Sequence, residues 1–253
     1  MKIEIIPCLN DNYSYLIHDE ISNTVAIVDP SEFIPCDTII IKNYKKLDFI
    51  LNTHHHHDHI GGNGALKKKY NSKIIASKID EDRIPDIDIK LSEGEFFKFG
   101  KTDFETIFIP GHTKGHIAFY SKTERIIFTG DTLFSLGCGR IFEGTHVDML
   151  SSLNKLKVLP SEIKVYCGHE YTKTNLNFCL KYDSNNSFLK EKSVEINSKL
   201  KSNLPTIPTT IGEELKTNIF LRCGDSDVKQ ALNLKDASDQ EIFTKLRDLK
   251  DTF

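Results

Sequence analysis

The sequence lacks the features that would place it in a membrane or on nucleic acid. No apolar run in its 253 residues approaches the roughly 20 residues of a transmembrane helix. The net charge is −3, so no excess of basic residues points to nucleic acid or an anionic membrane as a partner. Residues 1–7 are too short and too quickly interrupted for a signal peptide, and they predict a first strand instead. We therefore expect a cytoplasmic protein, and we favour a monomer.

The sequence also lacks any pair of cysteines separated by two residues. That absence argues against a thioredoxin-like motif and against a thiolate zinc site. The scattered cysteines, without a signal peptide, suit reduced thiols in a cytosol. We expect each of the six to be a small buried hydrophobic residue; they are Cys8, Cys36, Cys138, Cys167, Cys179 and Cys223.

What remains is an ordinary globular composition, 39% hydrophobic and 27% charged, in a chain long enough for a substantial core. β-branched and aromatic runs between turn residues predict short strands throughout the first two thirds of the chain. Helical spacing dominates from about residue 170 onward, so we place a domain boundary there. Residues 80–89 are charged and contain Pro85, which suggests a surface excursion.

The most informative stretch is the histidine-rich block at residues 52–62, which contains five of the ten histidines. Residues two apart on an extended strand end face the same way, so His54 and His56 can converge on one ion. Asp58 and His59 fall on the following turn and can reach a different point. Imidazole and carboxylate groups are ligands for zinc, iron or manganese. The spacing His-x-His-x-Asp-His therefore predicts two metal sites.

Simpler interpretations of the histidine-rich block agree less well with the surrounding sequence. Affinity tags lie at termini, whereas this block is internal and follows an apolar strand pattern. A solvated loop or a loose metal-sequestering tract would not need that flanking order. His55 and His57 occupy the intervening positions, and we expect them to face solvent or to support the ligands rather than bind metal.

Further histidine and aspartate residues follow other predicted strands. His112 comes from a tight Pro-Gly turn, Asp131 follows an apolar strand, and His169 ends the last strand. A carboxylate after a buried strand costs free energy unless it binds a cation or hydrogen-bond donors. Asp131 is therefore a candidate ligand, with a turn cap as the alternative. Asp29 also ends a strand, and for it a cap is at least as good an interpretation.

These motifs resemble those of the metallo-β-lactamase superfamily, and more specifically those of the hydroxyacylglutathione hydrolase (glyoxalase II) family of bacterial type. The second resemblance covers nearly the whole chain. The residues that carry it are 130–134, 137–140, 142–145, 167–171, 220–222 and 246–251. It implies an α/β fold, namely an αββα metallo-β-lactamase sandwich at 1–169 and a smaller all-helical domain at 170–253 that binds glutathione.

The resemblance also implies a ligand set and a reaction. The reaction would be metal-dependent hydrolysis of S-(2-hydroxyacyl)glutathione, typically S-D-lactoylglutathione, to glutathione and D-lactate, the second step of methylglyoxal detoxification. Two divalent ions, zinc first with iron or manganese as alternatives, would share a hydroxide beside the catalytic residues Asp58 and Asp131. One ion would be held by His54, His56 and His112, the other by Asp58, His59 and His169, with Asp131 bridging both.

The same resemblance implies how the substrate is bound. Arg140, Tyr171 and the pair Arg247 and Lys250 match the residues that grip the glutathione part. Phe142 stands where some family members have a tyrosine, so one hydroxyl contact to glutathione would be absent. Without the resemblance, Arg247 and Lys250 would be interpreted as an ordinary solvated helix end.

Three other functions remain open from the sequence. An iron-dependent persulfide dioxygenase would use the same scaffold with one metal, but the second ligand set and the long helical tail count against it. A lactonase or β-lactamase would not explain the Arg-x-x-Lys ending. A non-enzymatic metal-binding protein would not need the full ligand set.

Overall fold

The computed structural model describes all 253 residues, and they form two compact units. The first unit comprises Met1–Phe108 and Lys114–Gly130. The second comprises Ile109–Thr113 and Asp131–Phe253. The units therefore divide the chain elsewhere than at residue 169, and the boundary expected from the sequence stays a prediction. None of the helices is both long and apolar enough to cross a membrane.

The first unit contains a mixed sheet whose strands lie in chain order, from β1 at one edge to β6 at the other. The first three strands are antiparallel, and the last four pair in parallel. The central strands are nearly continuous apolar runs because they are covered on both faces. The strands are β1 (Lys2–Cys8), β2 (Asn12–Asp19), β3 (Thr24–Val28), β4 (Phe49–Leu51), β5 (Lys73–Ser77) and β6 (Ile87–Leu91).

Four antiparallel strands make a second ladder in the first unit, in the order β10-β9-β8-β7. Tyr15 on β2 meets Phe128 on β10 with ring centroids 5.4 Å apart, so the two sheets of this unit pack face to face. The strands are β7 (Phe96–Phe99), β8 (Thr102–Phe108), β9 (Ile117–Ser121) and β10 (Ile126–Gly130).

The helices of the first unit cover the outer face of the mixed sheet. Ile40 of α1 and Leu66 of α3 are fully buried against sheet residues such as Ile27 and Ile50. The helices are α1 (Phe33–Asn43), α2 (His57–Ile60) and α3 (Asn63–Tyr70), with a 3₁₀ turn at Lys78–Asp80.

The second unit is mainly helical. Its centre is aromatic: the rings of Phe178 and Phe220 stack 5.8 Å apart, and Phe243 lies 6.0 Å from Phe220. Its elements are β11 (Leu133–Phe134), β12 (Gly137–Cys138), α4 (His146–Lys157), β13 (Lys164–Cys167), α5 (Thr172–Tyr182), α6 (Ser187–Lys201), β14 (Thr209–Thr210), α7 (Ile211–Thr217), α8 (Ser226–Ala231) and α9 (Asp239–Asp251).

Three of these helices begin where the sequence provides a capping box. A hydroxyl accepts from the backbone N–H three residues later, and the carboxylate of that later residue accepts from the backbone N–H of the first. Thr145 and Asp148 start α4, Thr210 and Glu213 start α7, and Ser238 and Glu241 start α9. The helix starts are thus specified locally, independently of the packing.

Two details of the elements come from the structure alone. The helices α2 and α3 are separated by Gly61 and Gly62. A Cβ on Gly61 would lie 2.4 Å from the carbonyl oxygen of Ser31, so only glycine allows this approach. The expected surface excursion at 80–89 contains the start of β6, whose alternating exposure is that of an edge strand.

Candidate metal centre

Four candidate ligands lie just beyond β4 in the first unit. The strand ends at Leu51, so His54 and His56 lie in the loop that follows rather than on the strand itself. Their rings nevertheless converge, with centroids 4.7 Å apart and planes at 75°. His54 is completely buried and His56 is half-buried. The expected pairing of these two imidazoles is present, although the geometry comes from the loop.

Asp58 and His59 belong to the single-turn helix α2, where the sequence suggested a turn. The Oδ2 atom of Asp58 lies 3.6 Å from Nε2 of His59. Asn12 donates from Nδ2 to the same oxygen of Asp58 at 2.9 Å, which orients the carboxylate. The sequence offered no signal for this role of Asn12, because it lies at the start of β2, far along the chain.

Asp29 orients two of these imidazoles at once. Its carboxylate is buried and accepts from the backbone N–H of Thr53 at 2.8 Å, from the Thr53 hydroxyl at 2.7 Å and from Nδ1 of His59 at 3.0 Å. Since the Thr53 hydroxyl donates to Asp29, it accepts from Nδ1 of His54, 3.0 Å away. Both rings therefore carry their proton on Nδ1 and present Nε2 as a lone pair for a cation.

The atoms of Asp29, His54 and His59 are close enough together to hold an ion themselves. Both Asp29 oxygens are already committed to three donors, so its role is to support the imidazoles. The sequence marked Asp29 as lying near the site or capping a turn. The structure shows that it does the first, from a backbone with φ of 48°.

The second unit brings together His112, Asp131 and His169. The Oδ2 atom of Asp131 lies 3.5 Å from Nε2 of His112 and 3.2 Å from Nε2 of His169, and all three residues are buried. Nδ1 of His112 donates to the backbone carbonyl of Arg140 at 2.7 Å, which again leaves Nε2 facing the carboxylate. The ring of His169 stacks on Tyr171 with centroids 4.7 Å apart and an angle of 6°.

The other histidines near the block take supporting or peripheral places, as expected. His57 is exposed, and Nδ1 of His55 faces the buried carboxylate of Asp80 at 3.6 Å. His116 is fully buried and stacks on His54 at 4.6 Å and 16°. His116 therefore limits the rotation of a candidate ligand.

The residues predicted to bind substrate differ in exposure. Arg140 is 55% exposed and donates to Asp251, and the 60% exposed Phe142 meets the ring of His112 at 5.2 Å. Arg247 is 4% exposed. Lys250 is half-buried; burial first, and then the charge of Arg247, lower its pKa. Tyr171 is 37% exposed.

Two family models together cover residues 10–253. The metallo-β-lactamase superfamily matches residues 10–169, and the hydroxyacylglutathione hydrolase C-terminus matches residues 170–253. A hydroxyacylglutathione hydrolase of Pelagibacter ubique is 51% identical over 253 residues, which are the whole of both chains. The chain belongs to the hydroxyacylglutathione hydrolase family. A second hydroxyacylglutathione hydrolase, from Brucella anthropi, is 44% identical over all of this chain and 97% of the relative.

Solved structures confirm the metallo-β-lactamase fold. ETHE1 from Myxococcus xanthus superposes with a TM-score of 0.70 at 22% identity, covering 98% of this chain and 91% of that one. The BLEG-1 B3 metallo-β-lactamase superposes with a TM-score of 0.67 at 22% identity, covering 87% of this chain and 99% of that one. The sandwich followed by a helical C-terminal region is thus the fold of this family member. With its buried histidine and aspartate clusters, that fold indicates divalent metal binding.

Proposed function

We propose that the chain hydrolyses S-(2-hydroxyacyl)glutathione, typically S-D-lactoylglutathione, to glutathione and the 2-hydroxy acid. In the cell this would be the second step of methylglyoxal detoxification. The match of residues 170–253 to the hydroxyacylglutathione hydrolase C-terminus carries the proposal. The superfamily match alone would leave the substrate open, because one fold hosts many reactions. The relatives of that name, alike over the full length, support the same substrate class.

We propose that the chain binds two divalent ions. His54, His56 and His112 would hold one ion, and Asp58, His59 and His169 the other. Asp131 would serve both ions. The observation that supports this role is that its Oδ2 atom faces both His112 and His169. The donor set fits, since the three rings with assigned Nδ1 partners offer Nε2 lone pairs beside carboxylates. Zinc is the first choice, and iron and manganese suit the same ligands.

Bound there, divalent ions would polarise the thioester carbonyl and lower the pKa of water to about 7. Residues of the chain orient the groups that would hold the ions. Asp29 and Thr53 keep His54 and His59 in one tautomer, and Asn12 keeps the Asp58 carboxylate turned. The leaving group is a thiolate of low basicity, so the reaction does not require a dedicated general acid.

We propose that the glutathione part is bound by Arg140, Phe142, Tyr171, Arg247 and Lys250. Cations near a cleft position an anionic tripeptide by charge-assisted hydrogen bonds. The exposure of Arg140 and Phe142 supports direct contact for both. The cytoplasmic location and the monomeric state expected from the sequence stay predictions.

A thioester hydrolysis assay on the purified protein, with metal content measured on the same sample, tests the proposal. We expect release of glutathione from S-D-lactoylglutathione and about two metal equivalents per chain. Oxygen uptake with glutathione persulfide and no thioester hydrolysis would instead support the dioxygenase. Metal-loaded protein without either activity would revive the binding-protein alternative.

A further inference from the structure

Side chains of the helices in the second unit hold the backbone of the short hairpin formed by β11 and β12. This hairpin, residues 133–138, follows Asp131 directly and leads into Arg140. Its turn is too short to satisfy its own backbone groups, and each must find a partner because the segment is buried. The side chains of Asn175, Cys179 and Asn218 donate to the backbone carbonyls of Ser135, Leu136 and Gly137, respectively. The carboxylate of Glu214 accepts from the backbone N–H of Leu136, and the four distances are 2.8–3.2 Å.

Arg247 continues this set at the point where the hairpin approaches the candidate ligands. One terminal nitrogen of its guanidinium donates to the carbonyl of Cys138 at 2.8 Å and lies 3.4 Å from that of Gly139. The other donates to Asp251 at 3.0 Å, and the group lies over the ring of Phe220 at 5.3 Å. A side chain that is 4% exposed and committed to these partners is fixed in place.

The segment that Arg247 holds is packed directly against His112. A Cβ added to Gly139 would lie 1.8 Å from the carbonyl oxygen of Asp131 and 3.2 Å from Nδ1 of His112. The next residue, Arg140, supplies the carbonyl that accepts the Nδ1 proton of His112. The backbone N–H of Phe142 in turn donates to the carbonyl of His112 at 3.2 Å.

We propose that Arg247 is a positioning residue for the metal centre. It holds residues 138–140 so that the Arg140 carbonyl orients the imidazole of His112. This role is additional to the glutathione contact proposed for Arg247 beside Lys250 and Arg140, and separate measurements distinguish the two. The inference rests on the proposed function only in taking His112 as a metal ligand.

Arg247→Ala and Arg247→Lys test the inference against Arg222→Ala. Arg222 is a matched control because it is another largely buried arginine of the second unit, paired with Asp183 and Asp225 and not with the hairpin. Loss of a partner that orients a metal-binding histidine costs about 10–100-fold in metal affinity. We expect Arg247→Ala to weaken zinc binding about 10-fold in chelator competition, Arg247→Lys less, and Arg222→Ala not at all.

A second readout needs neither metal nor substrate. In the metal-free wild type, the Nδ1 proton of His112 should give a slowly exchanging signal in ¹H–¹⁵N NMR spectra. We expect Arg247→Ala to abolish it and guanidinium ion to restore it. A rapidly exchanging proton in the wild type overturns the inference even if the variants fail to fold.

Kinetics separate the two roles of Arg247. Loss of the positioning role lowers kcat about 10-fold, whereas loss of a glutathione contact raises KM. A rise in KM with unchanged kcat, zinc affinity and imidazole signal would leave Arg247 with the substrate contact alone and overturn the inference. Absence of thioester hydrolysis in the wild type would refute the proposed function, whereas the zinc and imidazole measurements would still decide this inference.

Discussion

In the first unit the imidazoles of His54 and His59 are oriented by side chains, whereas in the second unit that of His112 is oriented by a backbone carbonyl. The side-chain partners, Thr53 and Asp29, form one small connected group. The carbonyl belongs to Arg140, on a segment that several helices hold in place.

The difference teaches how each half responds to substitution. One carboxylate supports two imidazoles in the first unit, so a single change there disturbs both. In the second unit the support is spread over α5, α7 and α9, so most single changes remove one hydrogen bond of several. We therefore expect one substitution, at Asp29, to have a large effect on the orientation of the imidazoles in the first unit. Substitutions around the hairpin should each have a small effect on that of His112.

The largest effect is expected at Asp131, the ligand proposed to serve both ions. Asp131→Ala should leave well under one metal equivalent per chain and lower kcat by more than about 100-fold, because one carboxylate would serve both ions. Asp58→Ala should keep about one equivalent, since it belongs to one set. Elemental analysis after dialysis measures both. Equal metal loss in the two variants would contradict a shared Asp131.

Asp29→Ala should show the next largest effect. It leaves two donors of Thr53 and Nδ1 of His59 without their acceptor, at about 1–3 kcal/mol for each buried group. The free energy of unfolding in urea should fall by about 3 kcal/mol or more, with zinc affinity about 10–100-fold weaker.

Asp37→Ala is the control for Asp29, because this carboxylate pairs with Lys69 and Tyr70 in the same unit, away from the candidate ligands. It should lower stability while zinc affinity stays the same. Equal zinc affinity in both variants would show that Asp29 is a purely structural carboxylate and would break the comparison.

Lys250 tests whether substrate contact is separate from the support of His112. Lys250→Met keeps the apolar stem and removes the charge, so KM for S-D-lactoylglutathione should rise about 10-fold with kcat within about twofold. Zinc affinity should not change. Lys245→Met, at an exposed position of the same helix, is the control. An unchanged KM in Lys250→Met would remove the residue from the binding site.

The smallest effect concerns Glu214, the carboxylate of the second unit that holds the hairpin. Burial raises its pKa to about 7 from an ordinary 4.5, although Thr209, Leu136 and Asn218 donate to it; the nearby charge of Glu213 acts in the same direction as burial. The folded chain then binds the proton more tightly than the unfolded chain, so the free energy of unfolding decreases as the pH rises from about 4.5 to about 7.

Glu214→Gln should remove that decrease, whereas Glu162→Gln at an exposed position should retain it. Urea unfolding between pH 5 and pH 8 measures the slope, with each unit of pKa difference worth about 1.4 kcal/mol at most. Identical slopes in the two variants would show that Glu214 keeps an ordinary pKa in the folded chain.

Local sequence patterns were sufficient for the strands and for the proximity of the first four candidate ligands. Alternation and apolar runs predict β1 to β5 because neighbouring residues decide which face of a strand is buried. The block at 52–62 is short enough that spacing alone predicts two pairs. The members of each pair lie close together, and the binding of a separate ion by each pair stays a prediction. The six cysteines are free and buried, as expected.

Roles that depend on long-range contacts were not accessible from the sequence. Asn12 lies 46 residues from Asp58, and Arg247 lies 109 residues from Cys138, so no local pattern joins either pair. The edge strand β6 was missed because charged residues alternate along it, as they also do in a surface loop.

By itself, the sequence determined which atoms are available for a cation: imidazole and carboxylate groups placed directly after buried strands, in a spacing that separates them into pairs. Only the tertiary structure decided which nitrogen of each ring faces inward. That choice depends on the partner of Nδ1, and the partners Asp29, Thr53 and the Arg140 carbonyl reach their places through packing between segments distant in the chain.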